Sequence, residues 1–225
     1  LAERGMKVMI FDPAPVCSKT SYGNAGVISP WTCVPQSMPG LWKQVPRWLI
    51  DPEGPVSIRL GYLPKLMPWV LRFLAAGRSE RIDPVADGLF RLSRGSVAAY
   101  KKRLAGTGQE QLVCDSMYVH VYRNPKAASL DHLGWQLRQS RQVPIELIDK
   151  HALQEIEPHI ADDFEAAILI KQQGRASDPA GIGIALAEKA LAKGASHIQT
   201  KVHEIHPDQI KIPNTEKLPD NHPSA

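Results

Sequence analysis

The first 26 residues constrain the fold of this 225-residue chain more than any other stretch. Residues 1–4 have the composition of a last helical turn, and Gly5 follows them, a residue that readily takes the left-handed conformation at a helix C-terminus. Residues 8–11 are a short apolar run typical of a strand, with Asp12 at its C-terminal end. This order of helix end, strand and acid is typical of the second half of a dinucleotide-binding βαβ unit.

In such a unit, the acid at the tip of the second strand accepts hydrogen bonds from ribose hydroxyls and lies ~20 residues after a glycine-rich phosphate loop. Asp12 stands too early in the sequence for that loop, so we expect the first strand and its GxGxxG turn to precede Leu1 in the intact protein. Small and hydroxyl-bearing residues follow Asp12 as far as Gly26. We expect them to form one wall of a nucleotide cleft.

Charge and cysteine usage exclude several classes of protein. The formal net charge of +4 is spread along the chain without a basic stripe, so we expect no nucleic-acid partner. Cys17, Cys33 and Cys114 are far apart, which argues against a disulfide framework or a zinc site and favours a reducing compartment. His203 and His206 would point to opposite faces of a strand with no further ligand, and we expect no metal site.

The remaining pattern mixes strands and helices. Strands are predicted over residues 116–122, 145–148, 166–170, 196–200, 202–205 and 209–212. Helices are predicted over residues 64–77, 84–106, 127–141, 149–157 and 178–193, the last with Asp178 as N-cap and Pro179 at the first position. Residues 13–55 lack periodicity and are interpreted as a long functional loop followed by short helical pieces. Alternation at both ends around a mixed middle predicts an α/β nucleotide-binding fold with an inserted α+β domain.

The most apolar long segment, residues 60–76, is interrupted by two prolines and two basic residues, so it cannot span a membrane as a helix. Trp69, Leu71, Phe73 and Leu74 could lie on a membrane surface, but packing inside the protein is the preferred interpretation. We expect a cytoplasmic protein, with peripheral attachment at the inner membrane as the alternative.

Several segments, in the same order, resemble one known family. LAERGMKVMIFDP is similar to that family's segment from the end of the first helix to the acid of the second strand, and KTSYGNAGVISP is similar to its flavin loop S-x-x-N-A-G. LQEIEP and GRASDPAGIGIALAEKALAKGA resemble its later pattern, in which Gly-x-x-x-Asp-Pro opens a helix. The chain thus resembles the FAD-dependent D-amino acid oxidase superfamily. The runs WKQVPRWLIDPEGPVSIR and LPKLMPWVLRFL are most similar to its bacterial D-amino acid dehydrogenase small-subunit branch.

The resemblance implies a partial Rossmann-like FAD-binding domain over residues 1–40 and 174–212. It implies an inserted α+β substrate-type domain over residues 41–173, and we expect a disordered tail over 213–225. It also implies that the glycine-rich loop and the C-terminal part of the family, with its substrate-carboxylate arginine, lie outside this sequence.

The resemblance also implies roles for individual residues. Asp12 would bind the adenosine ribose, and Thr20 and Ser21 would lie near the pyrophosphate. Asn24, Ala25 and Gly26 would present backbone and amide groups to the flavin ring. Val202 would contact adenine through its main chain. From the residues alone, Asp12 is equally a solvated strand end, the loop residues are ordinary turn formers, and Val202 is a core residue. No catalytic residue can be named, because no triad or Cys–His spacing is present.

The implied activity is oxidation of a D-amino acid or similar small amine, with hydride passing from the α-carbon to flavin N5 and electrons then to oxygen or a membrane quinone. A glycine or sarcosine oxidase-like enzyme is one alternative, and a truncated, non-catalytic product is another. Without the phosphate loop and the first helix N-terminus, we expect this chain alone to show weak or no flavin absorbance.

Overall fold

The computed structural model describes residues 1–43, 45, 48, 59–206, 210 and 211. The described residues within Leu1–Ile28, Val97–Asp115 and Gly174–Ala225 form one compact unit, the first unit, and those within Ser29–Ser96 and Ser116–Gln173 form a second unit. Residues 97–115 therefore group with the chain ends, although the sequence assigned them to the inserted domain. The predicted functional boundaries stay a prediction, and the tail at 213–225 lies outside the described residues.

The described residues contain both strands and helices, in keeping with a mixed fold. The strands are β1 (Met9–Phe11), β2 (Val27–Ile28), β3 (Val113–Tyr122), β4 (Ile145–Asp149), β5 (Ala166–Ala176), β6 (Ser196–Ile198), β7 (Glu204–Ile205) and β8 (Ile210–Lys211). The α-helices are α1 (Leu63–Ala76), α2 (Ser79–Ser93), α3 (Ser96–Leu104), α4 (Leu133–Gln139), α5 (Lys150–Ile156) and α6 (Pro179–Ala192). Short 3₁₀ turns lie at Ala2–Arg4, Leu41–Lys43, Leu60–Tyr62, Glu110–Leu112 and Pro125–Ala127.

The first unit contains a two-stranded parallel sheet made of β1 and β6, in which Phe11 lies opposite Ile198. The turn Ala2–Arg4 precedes β1 and ends at Gly5, whose φ of 75° is left-handed. The predicted helix end and the short strand that follows it, the second strand of the predicted βαβ unit, are therefore present. Close by in the chain, β2 pairs antiparallel with residues 174–175 of β5.

The core of the first unit forms where α3 and α6 meet the ends of β2 and β5. Leu104 is fully buried, and Ile28, Val113 and Ile182 are nearly so. Burying each such aliphatic side chain contributes about 1.5–3 kcal/mol. This core holds the loop that follows Asp12 and the helix that begins at Pro179 within one unit.

The second unit is organised by β5, whose residues 166–170 are all buried, as a continuous apolar run predicts for an interior strand. β4 pairs antiparallel with this part of β5, with Ile145 opposite Ile170. Trp135 of α4 packs against Ile168 and Ile170. The apolar side of α4 that carries Trp135 is thus buried against the sheet.

Several predictions about elements differ from the structure, three in the extent of an element and one in its burial. The helix predicted over 84–106 is two helices, α2 and α3, because the weak helix former Gly95 lies between them and the Ser93 hydroxyl bonds back to the Leu89 carbonyl at 3.0 Å. The helix predicted over 127–141 is only the shorter α4. Residue 202 lies between β6 and β7 rather than in a strand. The segment 60–76 is not packed inside, because Trp69 is 58% exposed and Leu71 is 61% exposed.

None of the helices in the described ranges is both long enough and apolar enough to cross a membrane.

Candidate functional site

Asp12 lies at the carboxyl end of the parallel pair β1 and β6. Its backbone N–H donates to the Ile198 carbonyl at 3.3 Å. This is the edge at which open α/β sheets bind ligands. Its Oδ1 accepts from the Ala14 N–H at 2.8 Å, an Asx turn that fixes the side chain, while Oδ2 has no hydrogen-bond partner among the described residues.

The segment after β6 brings Thr200 to the same edge. Thr200 is buried, and its N–H donates to the Ile198 carbonyl at 2.9 Å. Val202, two residues later, is half-buried.

Asn24 holds the turn that ends the loop. Its Oδ1 accepts from the Gly26 N–H at 2.8 Å, and its Nδ2 donates to the Ser21 carbonyl at 3.2 Å. The side chain of Asn24 is thus engaged within the loop, and so is the N–H of Gly26. Within the described chain, the backbone N–H groups of Asn24 and Ala25 have no hydrogen-bond acceptor, and both residues are exposed to solvent.

Gly26 occupies a position that only glycine fits. Its φ is 67°, and a Cβ placed there would lie 2.2 Å from the Ala176 carbonyl oxygen. The Ala176 N–H also donates to the Gly26 carbonyl at 2.6 Å. The loop is therefore joined to the end of β5 through a backbone contact that no side chain can enter.

A cavity of about 230 Å³ lies between this loop and the start of α6. We call it the loop–helix cavity, and its lining includes Ser21, Asn24, Gly26, Tyr100, Pro179 and Gly183. Asp12, Thr20, Ala25 and Val202 are not among the described residues that line it. The structure therefore brings together three of the predicted residues here, while Asp12 lies at the sheet edge and Val202 follows β6 outside any strand.

Two lining residues were missed by the sequence analysis. Tyr100 lies in α3, and a tyrosine on a helix gives no sequence signal that distinguishes a cavity residue from a core residue. Gly183 carries a clearer signal in the spacing Gly181-Ile182-Gly183: a Cβ on Gly183 would lie 2.0 Å from the Cys17 sulfur, so the loop packs directly on α6.

The N-terminus of α6 is already occupied by an acid. Asp178 Oδ1 accepts from the Gly181 N–H at 2.9 Å, and Pro179 has no N–H to offer. Because this carboxylate complements the positive end of the helix dipole, the helix start does not suit a phosphate. Asp178 is a structural cap, as the sequence predicts.

The groups present fit parts of FAD. The outward oxygen of Asp12 is the acceptor that ribose hydroxyls require, and two adjacent unpaired N–H groups at Asn24 and Ala25 suit a carbonyl or phosphate oxygen. The loop–helix cavity is smaller than the ~300–1,000 Å³ of typical ligand sites, so it would enclose only a portion of a dinucleotide.

Comparison with known proteins identifies the family of the chain. The profile of the family DAO, FAD dependent oxidoreductase, matches residues 1–217. The D-amino-acid oxidase of Bradyrhizobium diazoefficiens is 32% identical over 201 residues, which are 88% of this chain and 47% of that protein. The D-amino acid dehydrogenase of Rhodopseudomonas palustris is 28% identical over 167 residues, 72% of this chain and 38% of that protein.

Among solved structures, glycine oxidase from Geobacillus kaustophilus is similar with a TM-score of 0.55 and 20% identity, over 93% of this chain and 44% of that one. At this identity the likeness shows the fold alone, and it confirms the predicted α/β fold class. The chain spans at most about half the length of the curated relatives it matches. Because the family profile matches nearly the whole sequence, the chain belongs to the DAO family of FAD-dependent oxidoreductases.

Proposed function

We propose that this chain is part of an FAD-dependent oxidoreductase that oxidises D-amino acids. The observation that carries the proposal is the carboxylate of Asp12 at the end of a parallel strand pair, in a chain matched by this family over residues 1–217. Its relatives named D-amino-acid oxidase and D-amino acid dehydrogenase support the choice of substrate class.

Bound FAD would supply the hydride acceptor for oxidation of the substrate α-carbon, and the imine so formed would hydrolyse to a 2-oxo acid and ammonia. In this proposal the residues of the chain bind the cofactor and orient it. Asp12 accepts hydrogen bonds from ribose hydroxyls, and Val202 borders the adenine through its main chain. Asn24 keeps the loop turned so that its own N–H and that of Ala25 are available to an acceptor oxygen.

Thr20 and Ser21 have a less direct part in the proposal. Thr20 is exposed and Ser21 lines the loop–helix cavity, where a hydroxyl can donate to a phosphate oxygen. Gly26 acts through its conformation, because its N–H and carbonyl are both engaged within the chain.

The test of the proposed function is turnover by the intact protein, expressed from the complete open reading frame in which this sequence is encoded. Purified protein with added FAD would be given D-alanine, L-alanine, glycine or sarcosine, with a reducible dye or oxygen as acceptor. We expect ammonia and 2-oxo acid from D-alanine at a higher rate than from glycine, and none from L-alanine. Faster turnover of glycine or sarcosine would favour the amine oxidase alternative, and no turnover of any amine would contradict the proposal.

We further propose that this protein works in the cytoplasm and attaches peripherally to the membrane through α1. That helix has no buried residue, carries Lys65 and Arg72 with no acid, and exposes Trp69 and Leu71. A basic helix with exposed aromatic and aliphatic side chains suits the interface of an anionic bilayer, where quinone would be within reach.

Vesicle sedimentation tests this attachment. We expect the protein to bind vesicles rich in phosphatidylglycerol and not vesicles of phosphatidylcholine alone, and we expect replacement of Trp69 and Leu71 by alanine to weaken binding about tenfold. Trp42→Ala is the matched control, because Trp42 is equally exposed outside α1. Equal binding by the control and the α1 variant would contradict the attachment.

A further inference from the structure

A second cavity, of about 360 Å³, lies within the second unit. We call it the Arg138 cavity, and its polar lining includes Thr32, Cys33, Tyr118, His120 and Arg138. Its volume falls in the ~300–1,000 Å³ range of small-molecule sites. Nothing in the proposed flavoprotein function uses it.

Arg138 is a positive charge without a counter-charge. Its guanidinium lies over the ring of Trp135, 4.6 Å from the centroid, and Nη1 donates to the Gly134 carbonyl at 3.1 Å. Its Nε is buried and has no hydrogen-bond partner. No carboxylate pairs with Arg138 among the described residues.

Two other arginines of the second unit form ion pairs with aspartates. Arg141 donates to Asp83 and Asp87, both at 2.9 Å. Arg123 lies over the ring of Phe164 at 4.7 Å, much as Arg138 lies over Trp135, but it also pairs with Asp163. A half-buried cation that lacks such a partner is costly unless something else supplies the negative charge.

The other titratable groups of the cavity do not supply that charge. Burial raises the pKa of the Cys33 thiol above its ordinary value, so the thiol stays neutral. Burial and the positive charge of Arg138 lower the pKa of His120, so the imidazole is neutral at pH 7. Burial also raises the pKa of Tyr118. Arg138 itself stays protonated, and the cavity carries one net positive charge.

We propose that the Arg138 cavity binds a small monocarboxylate with a short apolar tail. The guanidinium presents a planar fork of donors that matches a carboxylate. Thr32 and Tyr118 also line the cavity and contribute hydroxyl groups, while Trp31 and Ile170 contribute apolar surface for the tail.

The same lining argues against an amino acid as the preferred ligand. An α-ammonium group needs a carboxylate or several carbonyls nearby, and no described lining residue is acidic. It would also stand next to the positive charge of Arg138. We therefore expect a simple acid such as propionate to bind more tightly than either enantiomer of alanine.

The proposal does not depend on flavin, and it survives if the chain binds no FAD. It is tested on the full chain labelled with ¹⁵N, by titrating sodium propionate and following the Arg Nε–H and tryptophan indole signals. The neutral isostere propionamide, L- and D-alanine, sodium chloride and inorganic phosphate are titrated in parallel. Arg138→Met identifies the Arg138 signal.

We expect propionate to shift the Arg138 and Trp135 signals saturably and to raise the thermal unfolding midpoint. Propionamide should do neither, and phosphate should bind more weakly than propionate because it gains nothing from the apolar wall. Arg138→Met should weaken propionate binding at least tenfold, the effect of losing one charge-assisted pair. Arg123→Met, which removes the other stacked arginine, should leave binding unchanged.

Equal shifts with propionate and propionamide would overturn the proposal, as would unchanged binding in Arg138→Met. Tighter binding of phosphate than of propionate would also overturn it. If Arg138→Met does not fold, the decision falls to Arg138→Lys, which keeps the charge but loses the planar fork. We expect it to bind propionate several-fold more weakly than the wild type, and equal binding would overturn the proposal.

Discussion

Gly26 is the residue at which sequence, backbone geometry and the candidate site are most tightly linked. Its positive φ, its hydrogen bond from Ala176 and the lack of room for a Cβ all require glycine. Gly23, three residues earlier, has a similar φ of 71° but open space around it. Comparing substitutions at the two glycines therefore distinguishes the free-energy cost of a left-handed backbone from the cost of a steric clash with Ala176.

We expect Gly23→Ala to lower the free energy of unfolding by about 1–2 kcal/mol, the cost of a left-handed alanine. Gly26→Ala should cost about 4 kcal/mol or more, because the clashing atom is main chain and cannot move aside. Urea unfolding followed by circular dichroism measures both. Equal losses in the two variants would mean that the close approach to Ala176 is not a constraint.

At this scale the position of Asp12 directly after a strand could be predicted from the sequence, because a charged residue that follows a short apolar run usually marks the end of the strand. It did not allow the bonding of Asn24 to be predicted. Whether an amide side chain satisfies its own loop or faces a ligand depends on distances of a few tenths of an ångström, which residue type does not determine.

At the scale of elements, the packing of the loop on α6 is the feature that joins the two halves of the loop–helix cavity. Gly183 faces the Cys17 sulfur so closely that a Cβ would overlap it. In contrast, Gly88 in α2 has open space at the Cβ position. Glycine in a helix interior is otherwise unfavourable, so a packing reason is required for Gly183 but not for Gly88.

We expect Gly183→Ala to destabilise the protein by about 1–3 kcal/mol through overpacking. Cys17→Ala in the same chain should recover most of that loss, since it removes the clashing sulfur and leaves a better helix former. Gly88→Ala should be neutral or stabilising by up to about 1 kcal/mol. Thermal unfolding of Gly183→Ala, Cys17→Ala, the double variant and Gly88→Ala tests this. Additive effects of Gly183→Ala and Cys17→Ala would contradict direct contact between the two residues.

The elements themselves were predictable where a strong local signal existed. Asp178 and Pro179 predict the start of α6, and the hydrogen bond from Gly181 confirms the cap. The run at 166–170 predicts β5, although the strand continues to Ala176 through polar residues whose place depends on their partners. The break between α2 and α3 was missed because a single glycine lowers helix stability without forbidding the helix.

At the scale of the whole molecule, the order of segments carried more information than any single motif. Strand, acid, loop and capped helix are recognisable from the sequence alone as parts of a nucleotide-binding fold. The grouping of residues 97–115 with the chain ends was not predictable, because it depends on contacts between segments about 70 residues or more apart in the chain, such as Leu104 with Ile182. Local patterns carry no signal for such pairings.

The measurement that tests the account most directly is the binding of adenosine and 2′,3′-dideoxyadenosine to the ¹⁵N-labelled chain. We predict that adenosine shifts the amide signals of Asp12, Thr200 and Val202, and that the dideoxy compound binds about tenfold or more weakly, as expected for lost hydrogen bonds to a charged group. Asp12→Ala should bind both equally weakly, and Asp115→Ala, which removes an exposed acid of the same unit, should behave as the wild type. Equal affinity of the wild type for the two nucleosides, or unchanged binding in Asp12→Ala, would contradict a ribose-binding role for this carboxylate.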